Sequence, residues 1–247
     1  MMARFLGILF GLVMLFSSPL FAKGSWLKIA GGQDVFLLQD TKAEDLRSIV
    51  YVIHGDGTLR GIVPNYCSRA RREISDPTVL LACIFRQQNF NPTVMRSTKE
   101  LKRLEATIRH LDQKHPLPRH CVGHSGGGHN CVAVTQISNI EFGCLVAASA
   151  PLATKAWAEA RNKKLGGSGG VTALKKAQWD ASDHVHKTRA DKLIIIGDKQ
   201  DDFVEPIAWE AFMANARNAG IPHQFIEVRG RKHDTVRDGF KAMDNCL

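Results

Sequence analysis

Apolar positions along this chain follow two alternating rhythms. Continuous apolar runs of strand length stand at Ser48-Ile49-Val50-Tyr51-Val52-Ile53, Thr78 to Phe85, Phe142 to Ala148 and Lys192 to Ile196. Such runs suit strands buried on both faces, as in a parallel sheet. Between them lie stretches with helical spacing. From Ser97 to Leu111, the residues Leu101, Leu104, Ile108 and Leu111 share one face, with charges opposite. His115-Pro116-Leu117-Pro118 stops that helix. Helices are also expected over Asn65 to Ile74, with Pro64 near the start, over Pro206 to Asn218, and over Thr235 to Met243. A strand is expected from His223 to Val228. Trp26 to Gln39 reads as a hairpin turning at Gly31-Gly32, and Asp40 to Asp45 and Asn89 to Pro92 read as loops. Strands alternating with helices predict an α/β fold: a mostly parallel central sheet of about 7–8 strands covered on both faces.

One stretch breaks the rhythm. Lys155 to Thr188 contains helical-looking pieces around Trp157 and Trp179, separated by Gly166-Gly167-Ser168-Gly169-Gly170. It reads as an insertion, about 155–188, lying over the sheet. Its glycine run reads as a joint rather than a phosphate loop, because no GK[ST] follows.

The chain is organised around His120-Cys121-Val122-Gly123-His124-Ser125-Gly126-Gly127-Gly128-His129. An apolar beat at Cys121 and Val122 runs into Gly-His-Ser-Gly-Gly, and an apolar-periodic segment follows from Cys131 to Ile137. That order predicts strand, very sharp turn, helix. Gly123-x-Ser125-x-Gly127 fits the nucleophile elbow, in which a strained serine is lifted to the tip of a sheet. Glycines on either side leave room where strand and helix nearly touch. The Gly126 amide would then sit at a helix N-terminus, where negative charge is favoured. The competing reading is a plain glycine-rich turn.

Bulk properties narrow the field. A length of 247 residues fits one large α/β domain or two small ones. The formal net charge of +9 admits an acidic partner, but Lys and Arg are scattered. The densest groups, Arg69-Arg71-Arg72, Lys175-Lys176 and Arg229-Arg231-Lys232, are not interleaved with aromatics, so no nucleic acid is expected as a partner.

Residues 1–22 read as a signal peptide. Arg4 supplies the positive end, Phe5 to Phe16 is uncharged and apolar, Ser17-Ser18-Pro19 breaks the run, and Ala22 offers a small residue at the cut. The alternative is a membrane anchor, but the run is short for a span. Cleavage would leave residues 23–247 as one domain with no membrane span, in a secreted or periplasmic location. In such a compartment the six cysteines (Cys67, Cys83, Cys121, Cys131, Cys144 and Cys246) imply at least one disulfide. Six cysteines allow 15 pairings. Cys121 and Cys144, inside apolar strand-like runs, also fit buried thiols. No cysteine or histidine spacing suits zinc, and His184-Val185-His186 reads as a solvated loop, so no metal and no cofactor are expected.

In open α/β sheets, sites gather at the carboxyl ends of strands. Four places satisfy this: His54-Gly55-Asp56-Gly57, Ser125, the segment Gly197 to Val204, and Gly230-Arg231-Lys232-His233-Asp234. Their order and settings resemble the α/β-hydrolase superfamily from about Val35 to the end. Small secreted esterases and dienelactone-hydrolase-like proteins are the nearest in look. The resemblance implies a triad running Ser…Asp/Glu…His along the chain. Ser125 would be the nucleophile and His233, on the loop after the last strand, its base. His54, His124, His129 and His223 are the rival histidines. Family loops often read Gly-x-x-Asp-x-x-Val; here Asp201-Asp202-Phe203-Val204 keeps the last part, one residue late. Asp201 is the candidate acid, with Asp202 and Asp198 as alternatives. The oxyanion hole would use the N–H of Gly126 and that of Asp56, with Gly57 the runner-up donor. The Asp56 carboxylate would have to turn away, either to its own loop or toward a cationic substrate group.

These residues imply a secreted serine hydrolase acting on small-molecule carboxylic esters. The segment 155–188 is rich in Lys and Gly and poor in large apolar residues, which favours short or polar acyl groups over long lipids. The same triad serves an amidase, a peptidase or an acyltransferase, and a hydrolase-fold binding protein is the non-enzymatic alternative.

Overall fold

The computed structural model describes residues 23–86, 97–164 and 179–247. Eight strands form one sheet: β1 (Lys23–Leu27), β2 (Asp34–Gln39), β3 (Ser48–Ile53), β4 (Val79–Phe85), β5 (Arg119–His124), β6 (Phe142–Ala148), β7 (Ala190–Gly197) and β8 (Gln224–Glu227). Their spatial order is β1-β2-β4-β3-β5-β6-β7-β8. The β1–β2 hairpin and the β2–β4 pairing are antiparallel, and every pairing from β4 through β8 is parallel. Among the described residues, six helices cover the sheet: α1 (Val63–Glu73), α2 (Thr98–Lys114), α3 (Gly126–Ile137), α4 (Thr154–Lys164), α5 (Ile207–Asn218) and α6 (Val236–Asp244).

Alternation along the strands divides the core in two. On β3, Ile49, Tyr51 and Ile53 face the layer of α2, α3 and α5 and belong to one core cluster with Leu104, Ile108, Val132 and Phe212. Val50 and Val52 point the other way, toward Val63, Ala70, Phe240 and Met243 of α1 and α6. Each such fully buried side chain is worth about 1.5–3 kcal/mol. Central strands buried on both faces leave no room for a polar residue, which is why their sequences run apolar without interruption. The buried Tyr51 hydroxyl is satisfied, donating to Asp112 Oδ1 at 2.8 Å.

Several expectations from the pattern hold closely. The strand from Ser48 to Ile53 and that from Phe142 to Ala148 match to the residue. Ser97 caps α2, its hydroxyl accepting from the Glu100 N–H at 3.3 Å. Pro64 lies in the first turn of α1, where the absent N–H has no helical partner to lose.

The six cysteines bear out the expectation of at least one disulfide. Cys121 and Cys144 are not buried thiols. Cys121 is bonded to Cys131, Cys144 to Cys246, and Cys67 to Cys83. Each bridge joins a strand to the segment packed on it, because the alternation that buries the strand cysteine aims it at the covering layer. Of the helical piece expected around Trp179, residues 165–178 lie outside the described residues; Trp179 to His184 are not helical, and a 3-10 turn follows at Val185–Lys187. There Asp180 accepts from the N–H groups of Ser182 and of Lys155, at the start of α4. Short acidic side chains that capture main-chain donors compete with helix. The helix around Trp157 does form as α4. The Asn89–Pro92 loop, the glycine run 166–170 and the first 22 residues lie outside the described residues.

Candidate active site

The sharp turn expected after β5 is present. Ser125 has φ 53° and ψ −128°, a conformation that costs an L-residue about 1–3 kcal/mol. Its N–H donates to Ala148 O of β6 at 2.8 Å, and its carbonyl accepts from His129 N, in the first turn of α3, at 3.2 Å. The serine is therefore held from both sides. The glycines follow from close approach: a Cβ on Gly123 would lie 2.4 Å from the Gly127 carbonyl, and one on Gly127 would lie 2.2 Å from Ile53 O. The Cys121–Cys131 bridge ties strand to helix across the same turn.

The loop after β7 and the loop after β8 meet beside this turn. Asp201 Oδ2 and His233 Nδ1 are 2.9 Å apart. Asp201 Oδ1 accepts from the N–H groups of Phe203 and Val204, both at 2.9 Å. Burial pushes the Asp201 pKa up, but the bonds from His233, Val204 and Phe203 outweigh it and hold the carboxyl below its ordinary value. Of the three candidate acids, only Asp201 meets the imidazole. Asp202 is exposed, and its carbonyl accepts from Arg161. Asp198 is buried and braces the histidine loop, as its Oδ2 accepts from the N–H groups of Arg231 and Lys232 at 2.7 Å each. Hydrogen bonds from Gln200 and from that loop keep its pKa low.

His124, one residue before Ser125, fixes His233 from below. Its Nε2–H donates to the His233 carbonyl at 2.7 Å, and the two rings are 4.9 Å apart. Burial, then the neighbouring His233, lower the His124 pKa to about 4, so its ring is neutral. The half-exposed Phe203 ring lies 4.8 Å from the His233 ring. Among the described residues, no hydrogen bond joins the Ser125 hydroxyl to His233.

The loop after β3 completes the rim. His54 is buried, with Nδ1–H donating to Gly55 O at 2.7 Å; burial, then the charge of Arg86, lower its pKa to about 3. The ring is neutral and shapes the loop. The Gly126 N–H, in the first turn of α3, is engaged by no hydrogen bond among the described residues. Gly57 has φ 84° and forms the turn beyond Asp56. The Asp56 carboxylate lies against Gly126, where an added Cβ would be 2.0 Å from Oδ1. Oδ1 also accepts from Arg86 Nη2 at 2.6 Å. The cation that meets Asp56 is thus internal. His129, a rival histidine, is fully buried and bonded to the Trp179 carbonyl at 2.7 Å. His223 bonds to the Ile221 carbonyl, away from the rim.

Sequence reasoning missed Arg86 and the bracing role of Asp198. Arg86 was detectable: it is the first charged residue after the apolar run of β4, at a carboxyl end, where the strand-end rule applies. The brace at Asp198 was not detectable, since nothing in a sequence marks a carboxylate that binds main chain. Among the described residues, no group of three metal-ligating side chains occurs, and no helix is long and apolar enough to cross a membrane.

No family model matches the chain, and no curated protein matches it in sequence. Solved structures do match in shape. A puromycin-hydrolysing peptidase of Mycobacterium tuberculosis superposes with a TM-score of 0.69 at 13% identity, over 94% of this chain and 40% of that one. Carboxyl esterase 2 of the fungus Tuber melanosporum gives 0.65 at 14% identity, over 96% of this chain and 89% of the other. S-formylglutathione hydrolase of Staphylococcus aureus gives 0.62 at 17% identity, covering 91% and 96%. The chain has the α/β-hydrolase fold.

Proposed function

We propose that the protein is an exported serine hydrolase that cleaves carboxylic esters through an acyl-enzyme. The observation that carries this reading is the Asp201–His233 pair, 2.9 Å apart, held beside a turn that strains Ser125 to φ 53°. Asp201 keeps its proton-free form and fixes the Nδ1–H tautomer of His233, leaving Nε2 as the base. His233 Nε2 takes the proton from the Ser125 hydroxyl as Oγ attacks the ester carbonyl. The contact between these two groups tightens when substrate arrives, as catalytic hydrogen bonds commonly do. The N–H of Gly126 and that of Asp56 receive the developing oxyanion. The protonated imidazole then gives its proton to the leaving alcohol. Water, activated by the same imidazole, releases the acid.

Esterases among the structural neighbours support ester cleavage, and the polar, lysine-rich character of 155–188 supports short or polar acyl groups. Three disulfides support an oxidising compartment and, with it, removal of residues 1–22 as a signal peptide. Amide cleavage is the second reading. It is favoured by the puromycin-hydrolysing peptidase among the neighbours, since the same side chains serve both reactions.

A fluorophosphonate probe and p-nitrophenyl acetate test the proposal together. Folded wild-type protein should form an adduct at Ser125 and turn over the ester, and Ser125→Ala should do neither. Ester turnover that survives Ser125→Ala would remove the reading. A panel of p-nitrophenyl esters of rising chain length, assayed beside aminoacyl amides, sorts the substrate class.

A further inference from the structure

The rim contains a charge pair that the reaction above does not use. Arg86, the first residue past β4, has no exposed surface. Its Nη2 donates to Asp56 Oδ1 at 2.6 Å and to the His54 carbonyl at 3.1 Å. Its main-chain N–H meets His54 Nε2 at 3.4 Å. Its Nε and Nη1 are buried without a hydrogen-bond partner. A buried guanidinium is expensive to desolvate, and one that is incompletely bonded is a liability for stability. Its presence needs a reason other than holding the fold together.

The reason lies in where Asp56 sits. Its carboxylate packs on the Cα of Gly126, so closely that an added Cβ would fall 2.0 Å from Oδ1 and 2.5 Å from Cγ. Gly126 supplies one of the two N–H groups of the proposed oxyanion hole. An uncompensated carboxylate at that spot would repel the negative charge that forms there, and screening is weak in a partly enclosed site. A positive charge bonded to the same carboxylate cancels most of that field.

Resting on the serine-hydrolase reading, we propose that Arg86 is a positioning residue for the oxyanion hole. Its guanidinium neutralises Asp56 and pins the carboxylate against Gly126. The second bond, to the His54 carbonyl, fixes the other end of the same three-residue turn. The main-chain N–H groups of the loop, rather than its carboxylate, are thereby turned to the substrate oxygen. The neutral His54 ring locks the turn from beneath, between Gly55 O and the Arg86 N–H. Asp56 then has no role in recognising a cationic substrate group, because its partner is built in.

The test compares wild type, Arg86→Met, Arg86→Lys and Arg86→Met with Asp56→Asn, using p-nitrophenyl acetate. It also measures affinity for a trifluoromethyl ketone, which forms an oxyanion on the serine, and for the matching methyl alcohol, which does not. Arg86→Met should lower kcat about 100-fold, the scale of losing one oxyanion donor, with KM nearly unchanged. Ketone affinity should fall in step, and alcohol affinity should hold. Adding Asp56→Asn removes the carboxylate charge that Arg86 no longer offsets and should restore about ten-fold of the lost kcat. A loss carried by KM, a kcat loss without loss of ketone affinity, or a double variant no better than Arg86→Met overturns the proposal. Where Arg86→Met does not fold by circular dichroism, Arg86→Lys decides. It keeps the charge but not the fork, so kcat and ketone affinity should each fall about ten-fold; wild-type values for both overturn the proposal. Ester turnover that requires Ser125 but ignores Arg86 defeats this inference alone. Turnover that ignores Ser125 defeats the hydrolase reading.

Discussion

Asp198 accepts hydrogen bonds from the main-chain N–H groups of Arg231 and Lys232, each at 2.7 Å. One buried carboxylate on the loop after β7 therefore anchors the loop that carries His233. Lys232 has φ 52°, a left-handed conformation that favours glycine, and its N–H and that of Arg231, both donating to Asp198, hold it there. Asp198→Ala should leave both N–H groups without their acceptor and destabilise the fold by about 1–3 kcal/mol. It should also misplace His233 and lower kcat for p-nitrophenyl acetate by roughly 100-fold. Urea denaturation and steady-state kinetics on the same preparation check both. Full activity in a destabilised variant would mean that the brace serves stability alone.

Neighbouring carboxylates give a sharper contrast. Asp201 meets the imidazole, and Asp202, next in sequence, is exposed. Asp201→Asn should lower kcat by about 10,000-fold, because an amide in that place no longer enforces the tautomer that leaves Nε2 as base. Asp202→Asn should stay near wild type. Equal losses for both variants, measured with the same ester, would reassign the acid.

How much of this was legible beforehand depends on the kind of signal. The central strands were readable because burial on both faces demands uninterrupted apolar residues, as at Ile49 to Ile53. The turn at Ser125 was readable because close backbone approaches exclude any side chain at Gly123 and Gly127. Asp201 was separable from Asp202 only in three dimensions, since one residue of register in a loop carries no periodicity. Arg86 and Asp56 are 30 residues apart in sequence, and nothing local at either residue announces the other. The disulfide partners were illegible for the same reason: Cys144 and Cys246 meet only because α6 returns to cover β6.

That last bridge closes the longest loop. Cys144 and Cys246 are separated by 102 residues, and the bond fastens the chain's last residues to β6. In the loop-entropy account a bridge over about 100 residues contributes roughly 4–5 kcal/mol, largely by restricting the unfolded chain. Cys144→Ala with Cys246→Ala should lower the urea midpoint more than the paired replacement of Cys121 and Cys131, whose separation is 10 residues. The order of the two midpoints is the measurement, and the reverse order would show that local strain at the turn outweighs loop length.

Acid should unfold the protein through its buried imidazoles. His54 has its pKa lowered to about 3, by burial and then by Arg86, and His124 to about 4, by burial and then by His233. In the unfolded chain both return to about 6.5. Between these values the unfolded state binds the extra protons, so stability is full above about pH 6.5 and declines as pH falls. Each histidine contributes a slope of about 1.4 kcal/mol per pH unit, and the two together about twice that, until His124 titrates in the folded state near pH 4. Asp201 and Asp198, with pKa values held below the ordinary carboxylate range, push the same way at still lower pH, their contribution being lost as they protonate in the fold. Urea midpoints at pH 8, 7, 6 and 5 and constant ionic strength should therefore be level at first and then fall. In His124→Gln the fall between pH 6 and 5 should be shallower, because one of the protons taken up on unfolding is gone, while His54, His115, His120 and His184, all with lowered pKa values, still contribute. A midpoint that stays level from pH 7 to pH 5 would mean that these rings take up protons in the folded state and that the rim has room to solvate them.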